Sequence, residues 1–245
     1  GAGAVGLSLG ARLAAGGRSV LFVARGEDAA RAIREDGVVV EDPGSGEVVR
    51  AAPARRGAAP GVDAVAGITA AATALRDPAS GPVLLCVRAD DTGAVAAELA
   101  SAAPGATVAS VQNHVDNEEI LARTFPRVLG VVWRQTCTRL APNAVRALGR
   151  GRVVVGAWPE GGGADVEALA ADLRAAGFDV GVSPRIVEDK WLKLCVNLMS
   201  APNALVVPDD HTGAAFVEIK ARLLVEARNV LAAAGISARS CDGRD

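Results

Sequence analysis

Aromatic side chains are scarce in this chain of 245 residues, which has no tyrosine and an aromatic content of 3%. Its core must therefore be packed with alanine, valine and leucine, as is common in soluble α/β proteins. Long apolar runs are absent too, since no stretch approaches roughly 18 apolar residues and the first residues do not resemble a signal peptide. These absences predict a cytoplasmic protein without a membrane partner.

The sequence also lacks an excess of one charge and any cluster of cysteines. The formal net charge is -2, which gives no electrostatic reason to expect nucleic acid as a partner. The 4 cysteines are scattered, without CxxC spacing or a histidine cluster beside them. Neither a disulfide framework nor a metal site is therefore expected.

The first residues form a glycine-rich turn. A helical stretch follows this turn, and a β-type run at 19–24 comes next. Gly1 permits a tight turn, Gly3 lets the backbone approach a pyrophosphate, and Gly6 lets the helix pack closely on a sheet. Free N–H groups at the helix N-terminus would bind the pyrophosphate. A purely structural turn is the alternative. The predicted cofactor-binding residues here are Gly1, Ala2, Gly3, Ala4, Val5 and Gly6.

Arg25 follows the β-type run, at a position where an acidic residue usually holds the ribose of NAD. A guanidinium there suits the 2′-phosphate of NADP, because its fork of donors matches phosphate oxygens. We therefore expect NADPH as the cofactor rather than NADH. The alternatives are a solvated loop arginine, or a ribose contact from the nearby Glu27 or Asp28.

From residue 1 to about 183, β-like runs alternate with alanine-rich helical stretches, which is typical of a doubly wound sheet. A turn signal at 149–151 predicts a β-hairpin between 144–148 and 152–155, and the Gly- and Pro-rich segment 43–60 is expected to be irregular. The expected strands are 19–24, 38–41, 83–87, 107–111, 128–132 and 153–156, and the expected helices are 28–35, 92–102, 117–124 and 165–176.

Beyond Pro184 the β signal stops and two helical stretches remain, 186–201 and 213–234. The sequence therefore predicts a Rossmann-type doubly wound nucleotide-binding domain over 1–183. An all-α domain for substrate binding or dimerisation follows over 184–245.

The first of these helices is apolar on nearly every face, which predicts that it is buried. Lys193, Asn197 and Ser200 share one stripe of it, because they lie at i, i+4 and i+7. Unpaired polar groups there would cost roughly 2 to 7 kcal/mol each, so a cleft with an anionic substrate would explain them. Alternatively, Lys193 reaches water at the helix edge and Asn197 bonds to a loop backbone.

Several motifs in series resemble the ketopantoate reductase family, the 2-dehydropantoate 2-reductases. They are the glycine turn with Gly10, Arg25, the loop VQNHVDNEE at 111–119, and Trp191-Leu192-Lys193-Leu194 with Asn197. The resemblance implies hydride transfer from NADPH to the ketone of a 2-keto acid, as in pantoate formation for coenzyme A.

The resemblance also implies roles for individual residues. Lys193 matches the family's general acid, and Asn113 matches an asparagine beside the nicotinamide and that lysine. Asn197 matches a substrate-binding asparagine, and Arg88 takes the place of a family lysine near the cofactor. An Asx turn that opens the next helix is the alternative for Asn113.

The sequence departs from the family pattern on the substrate side. His114 and Asp116 replace two glycines of the family loop, so His114 is either an extra proton donor or a tolerated substitution. Ala201 stands where a second substrate asparagine is expected. Ser200 and Asn203 are the candidates to replace it.

The chain starts without the apolar strand that precedes such a glycine turn, and it stops at 240–245, where the family continues with helices carrying a substrate-binding Ser and Glu. We therefore expect both ends of a longer protein to be missing. Two other interpretations stay open: a reductase for another keto or hydroxy acid, and a truncated NADP-binding protein without catalysis. A homodimer is compatible with either.

Overall fold

A computed structural model describes residues 1–54, 60–77 and 80–243. The helices are Ala4–Ala15 (α1), Glu27–Asp36 (α2), Ala72–Arg76 (α3), Thr92–Ala102 (α4), Asn117–Ala122 (α5), Ala164–Ala175 (α6), Ile186–Leu198 (α7) and Ala214–Ala233 (α8). The strands are Val20–Ala24 (β1), Val38–Asp42 (β2), Glu47–Ala51 (β3), Val62–Ala66 (β4), Val83–Leu85 (β5), Thr107–Ser110 (β6), Arg127–Trp133 (β7), Thr136–Ala141 (β8), Ala144–Leu148 (β9), Arg152–Ala157 (β10) and Asp179–Val182 (β11).

The strands form three sheets. A five-stranded sheet has the order β11-β10-β7-β6-β5, a second sheet has the order β3-β2-β9-β8, and β1 pairs with β4. Within the large sheet β5, β6 and β7 run parallel, whereas β10 is antiparallel to β7. The predicted fold class, a Rossmann-type α/β unit followed by a helical region, is confirmed. The boundary near residue 184 stays a prediction.

Helix α1 is enclosed by all three sheets. Leu7, on one side, packs in a cluster with β1, β2, β4 and β9, while Leu9 and Leu13 pack in a cluster with β6, β7 and β10. A helix enclosed in this way must bury polar side chains as well, and Arg12 is only 3% exposed. Its guanidinium lies 3.2 Å from the carboxylate of Glu47 on β3, which compensates its charge.

The predicted hairpin around residue 150 is wrong, although both of its strands exist. β9 pairs with β8 and β2, whereas β10 pairs with β7 and β11. Gly149 and Gly151 have φ of +64° and +67°, and the chain passes there from one sheet to the other. β10 is buried at Val153–Val155, while β9 alternates buried and exposed residues, so the two strands suit different sheets.

The segment 43–60 is more regular than expected. Residues 47–51 form β3, which pairs antiparallel with β2. Asp42 stabilises the connecting turn, since its carboxylate accepts hydrogen bonds from the Gly44 N–H at 3.0 Å and the Ser45 hydroxyl at 2.8 Å. Residues 55–59 of the segment lie outside the described residues.

Helix α7 is shorter and more exposed than predicted. It ends at Leu198 rather than near residue 201, and Val196 and Leu198 are 39% and 41% exposed. Its first residue, Ile186, packs with Val132 and Val154 and so attaches α7 to β7 and β10. No helix in the described part of the chain is long and apolar enough to cross a membrane.

Two glycines make room for that contact. A Cβ added at Gly156 would lie 2.5 Å from the Ser183 carbonyl oxygen and 2.8 Å from Ile186 Cβ, and one added at Gly130 would lie 2.7 Å from Ile186 Cγ1. Since Ile186 is fully buried, it has little room to move aside.

Gly156→Ala is expected to lower the free energy of unfolding by about 1 to 3 kcal/mol, because overpacking forces α7 away from the sheet. Urea denaturation measures the change. Gly93→Ala is the matched control, since Gly93 is exposed on α4 and an added Cβ there meets nothing within 4 Å. That control should gain up to about 1 kcal/mol from helix propensity. Wild-type stability in Gly156→Ala would contradict the packing argument.

Candidate active site

The loops that carry the predicted site residues meet at one edge of the large sheet. β5 and β6 are parallel neighbours, as are β6 and β7, so their carboxyl ends lie together, where open α/β sheets bind ligands. The glycine turn lies at the same edge, because a Cβ added at Gly1 would be 3.0 Å from Val87 Cγ1 in the loop after β5. The ion pair between Arg25 and Asp91, 2.9 Å long, joins the end of β1 to that loop.

The N-terminus of α1 fits a pyrophosphate. No side chain caps its N–H groups, no acidic residue lies in its first turn, and its first hydrogen bond runs from the Leu7 N–H to the Gly3 oxygen at 2.8 Å. The space around Gly3 is open, since an added Cβ would meet nothing within 4 Å. Of the other turn residues, Gly1 is exposed, Ala2 and Gly6 are buried, and Ala4 and Val5 are half-buried.

The close approach of helix to strand falls at Gly10 rather than at Gly6. A Cβ at Gly10 would lie 2.3 Å from Phe22 Cζ on β1, whereas one at Gly6 would lie 1.9 Å from the carbonyl oxygen of Gly1. Gly6 therefore closes the turn on itself, and Gly10 performs the packing role that the sequence analysis gave to Gly6.

Arg25 extends into solvent directly after β1, with 88% of its side chain exposed and Asp91 as its partner. The acidic residues beside it have partners of their own. Asp28 pairs with Arg31 at 3.0 Å, and Glu27 pairs with Arg34. Both carboxylates are thus already bound to arginines of α2.

Arg88 also lies at this edge, in the loop after β5. Its side chain is 81% exposed and pairs with Asp90 at 3.0 Å. The positive charge that the resemblance places near the cofactor is therefore present and accessible.

Gln112, which the sequence analysis did not single out, fixes the loop after β6. Its amide nitrogen donates to the Thr92 hydroxyl at 2.8 Å and to the carbonyl oxygen of Val87 at 3.1 Å. The Thr92 hydroxyl donates in turn to Asn117 at 2.9 Å, and the Asn117 amide donates to the carbonyl oxygen of His114 at 3.3 Å. This network holds both ends of the loop that carries Asn113.

Asn113 itself is exposed, and no hydrogen bond from its side chain is found in the described part of the chain. The Asx-turn alternative is therefore not observed among these residues, and the N-cap residue of α5, Asp116, has no side-chain capping bond either. His114 is half-exposed and its Nδ1 lies 3.5 Å from the Asp116 carboxylate, so the two residues that replace the family glycines contact each other.

A buried ion pair connects this loop to α7. Lys190 Nζ lies 2.6 Å from Glu118 Oε1 and donates to the carbonyl oxygen of Gln112 at 2.7 Å. Both side chains are almost fully buried, at 4% and 1% exposure. This pair was not predicted from the sequence, although Lys190 lies one helical turn before Lys193 on a mostly apolar helix, which was the available signal.

Lys193 lies on α7 one turn beyond Lys190 and is half-buried. Burial lowers the pKa of its ammonium group, and the positive charge of Arg134 lowers that pKa further. Within residues 1–54, 60–77 and 80–243 no carboxylate pairs with Lys193. The group is therefore a cation without a counterion.

Of the predicted stripe of Lys193, Asn197 and Ser200, only the first two residues lie on the helix. Asn197 is half-buried and lies one turn further along α7, but Ser200 lies beyond the helix end at Leu198 and is exposed. Asn203 is exposed too, in the 3-10 turn Ala201–Ala204. The helix ends early because Pro202 cannot continue it. The substrate-binding roles of Ser200 and Asn203 stay predictions.

The described residues contain no group of three or more His, Cys, Asp and Glu side chains arranged to hold a metal ion. A glycine turn at the carboxyl edge of a Rossmann-type sheet, with an unpaired lysine above that edge, defines the class of dinucleotide-dependent oxidoreductases.

Within that class the chain belongs to the family described as ketopantoate reductase PanE/ApbA, whose family model matches residues 1–160. A 2-dehydropantoate 2-reductase from Halobacterium salinarum is 28% identical, over 97% of this chain and 75% of that protein. The crystal structure of a PanE/ApbA family ketopantoate reductase from Ralstonia eutropha JMP134 is 27% identical, with a TM-score of 0.73, over 96% of this chain and 74% of that one. The resemblance drawn from the sequence is confirmed.

The same fold occurs in D-mandelate dehydrogenase, solved in complex with NADH. That structure has a TM-score of 0.75 at 20% identity and covers 97% of this chain and 73% of the other. At this identity the likeness concerns the fold alone.

Removing the charge of Glu118 should destabilise the protein far more than removing the charge of its neighbour, Glu119. Glu118→Gln leaves Lys190 buried and unpaired, so we expect a loss of about 3 to 5 kcal/mol in the free energy of unfolding. Glu119→Gln is the matched control, because Glu119 is 59% exposed in its pair with Arg123 and should change stability by less than about 0.5 kcal/mol. Equal losses of unfolding free energy for the two variants, measured by denaturant titration, would contradict a stabilising role of the buried Lys190–Glu118 pair.

Proposed function

We propose that this protein reduces the ketone of a 2-keto acid with NADPH, as in the conversion of 2-dehydropantoate to pantoate, with Lys193 as the general acid. The observation that carries the proposal is Lys193 itself, a half-buried ammonium without a counterion, whose pKa is lowered by burial and by Arg134. A lysine in this state donates a proton more readily than a solvated one.

Bound NADPH supplies a hydride to the carbonyl carbon of the substrate. Lys193 polarises the carbonyl oxygen and gives it a proton, so that a 2-hydroxy acid forms and the lysine is left as a neutral amine. Solvent then returns the proton to the amine. Because the ammonium is the active form, the reaction requires a pH below the pKa of Lys193.

The remaining site residues are assigned to binding. The open turn at Gly3 and the free N–H groups of α1 receive the pyrophosphate, and the unpaired amide of Asn113 contacts the nicotinamide side of the site. Asn197 lies one helical turn beyond Lys193 and contacts the substrate. The Gln112 network and the Lys190–Glu118 pair keep these groups in position before the substrate binds.

Lys193→Ala tests the proposed reaction directly. We expect the kcat for NADPH oxidation with 2-dehydropantoate to fall about 10²- to 10⁴-fold, because the proton donor is lost. Lys220→Ala is the matched control, since this lysine lies on α8 with its ammonium over the ring of Phe216. It should keep wild-type rates. A wild-type protein without keto-acid-dependent NADPH oxidation, or an alanine variant with full activity, would refute the proposal.

Arg25→Ala tests the choice of cofactor. The KM for NADPH should rise about tenfold or more, while the KM for NADH stays nearly unchanged, because only NADPH carries the 2′-phosphate that the guanidinium would bind. Steady-state kinetics with each cofactor measure both values. Arg222→Ala is a suitable control, since Arg222 is 79% exposed and pairs with Glu218 on α8. An equal rise for both cofactors would count against a 2′-phosphate contact.

A further inference from the structure

Arg134 is the first residue after β7, and it therefore lies at the same edge of the sheet as the loop that carries Asn113. It is also close enough to Lys193 to act on that ammonium electrostatically. Two positive side chains from different elements thus interact near this edge.

No partner of the Arg134 guanidinium is found among the residues that the structure describes. Its Nε is buried without a hydrogen bond, and no hydrogen bond or ion pair from the rest of this side chain is found within the described ranges. Arg12 and Arg152 also have a buried Nε without a hydrogen bond, but each forms an ion pair through its terminal nitrogens, with Glu47 at 3.2 Å and with Asp179 at 2.7 Å. Arg134 alone among these three lacks an anion.

The backbone at this position is held firmly. The side chain of the next residue, Gln135, accepts a hydrogen bond from Ser8 of α1 at 2.9 Å and donates one to the carbonyl oxygen of Gly149. A Cβ at Gly151 would lie 2.9 Å from Gln135 Cβ, so the segments are in close contact. The unpaired guanidinium is therefore presented by a rigid part of the fold.

We propose that Arg134 binds the carboxylate of the 2-keto acid substrate and so places the adjacent ketone at Lys193. A guanidinium forms two parallel hydrogen bonds with a carboxylate, which fixes the orientation of the substrate as well as its position. In a 2-keto acid the carboxylate and the ketone are on neighbouring carbons, and this suits two cations that are close enough to act on each other electrostatically. The inference rests on the proposed function and adds to it the residue that binds the substrate carboxylate.

The bound carboxylate would also act on the proton donor. It neutralises the charge of Arg134, which removes one of the two influences that lower the pKa of Lys193. Lys193 would thus be held as the ammonium at the moment when its proton is needed. A ketone without a carboxylate would lack both the anchor and this effect.

The test compares 2-dehydropantoate with the corresponding 2-keto amide, in which a neutral carboxamide replaces the carboxylate. In Arg134→Met we expect kcat/KM for the acid to fall roughly 30-fold or more, and that for the amide to change less than about threefold. Arg134→Lys should recover part of the loss, because it restores the charge without the fork. Arg139→Met is the control, since the guanidinium of Arg139 is exposed on β8 and donates to the carbonyl oxygens of Ala141 and Pro142.

The pH dependence of kcat gives a second readout, which a purely structural role would not change. The pH at which the rate falls should move upward in Arg134→Met with the amide substrate, because the pKa of Lys193 rises when the neighbouring charge is removed. Equal losses on acid and amide, or an unshifted pH profile, would overturn the proposal.

A binding experiment separates this proposal from the proposed reaction. Oxamate, in which a carboxylate adjoins an amide carbonyl, is titrated calorimetrically into the NADPH complex of the wild type and of both methionine variants. Saturable binding that is lost in Arg134→Met and kept in Arg139→Met supports the carboxylate site even if no keto acid is turned over. A wild type that turns over 2-dehydropantoate but binds oxamate no better than Arg134→Met would overturn the carboxylate site and leave the reaction intact.

Discussion

The buried ion pair between Lys190 and Glu118 is the constraint on which the site depends. Two charges removed from water are stabilising only where their geometry is close and their remaining groups are hydrogen-bonded. Here the 2.6 Å contact meets the first condition, and the bond from Lys190 to the carbonyl oxygen of Gln112 meets the second on the side of the lysine. The pair therefore holds α7 against the loop after β6 in one arrangement. Lys193 and Asn113, which these two elements carry, take their relative position from it.

The protein thus uses its wholly and partly buried charges in two opposite ways. Arg12 and Lys190 have carboxylate partners and stabilise the packing of helices against sheets. Lys193 and Arg134 are partly buried and have no such partner among the described residues, and they lie at the carboxyl edge where open α/β sheets bind ligands. Cations that the fold leaves unpaired at such an edge favour an anionic ligand, which is consistent with a family of 2-keto acid reductases.

Local patterns predicted many of the individual elements, although not β4, β8 or β11, and they did not predict which strands pair. The helix at 92–102 was predicted with the bounds that the structure has, because its alanine content is a local property. The two strands around Gly149-Arg150-Gly151 were also found, yet their pairing was wrong. Pairing depends on which sheet can bury a strand on both faces, and β10 needs such a place whereas β9 does not. In the same way, Lys190 was overlooked because its partner is 72 positions away in the chain.

The sequence by itself determined the glycine turn, the order of most of the helices and of the strands of the large sheet, and the family, because each of these depends on residues that are close together in the chain. It also identified Lys193 and Asn113 as candidates. Only the tertiary structure decided which charges are paired and which are not, and it brought Arg134, at the end of β7, within electrostatic range of Lys193 on α7. That difference has a physical reason: burial and ion pairing are set by distant segments that meet only when the sheets and helices pack.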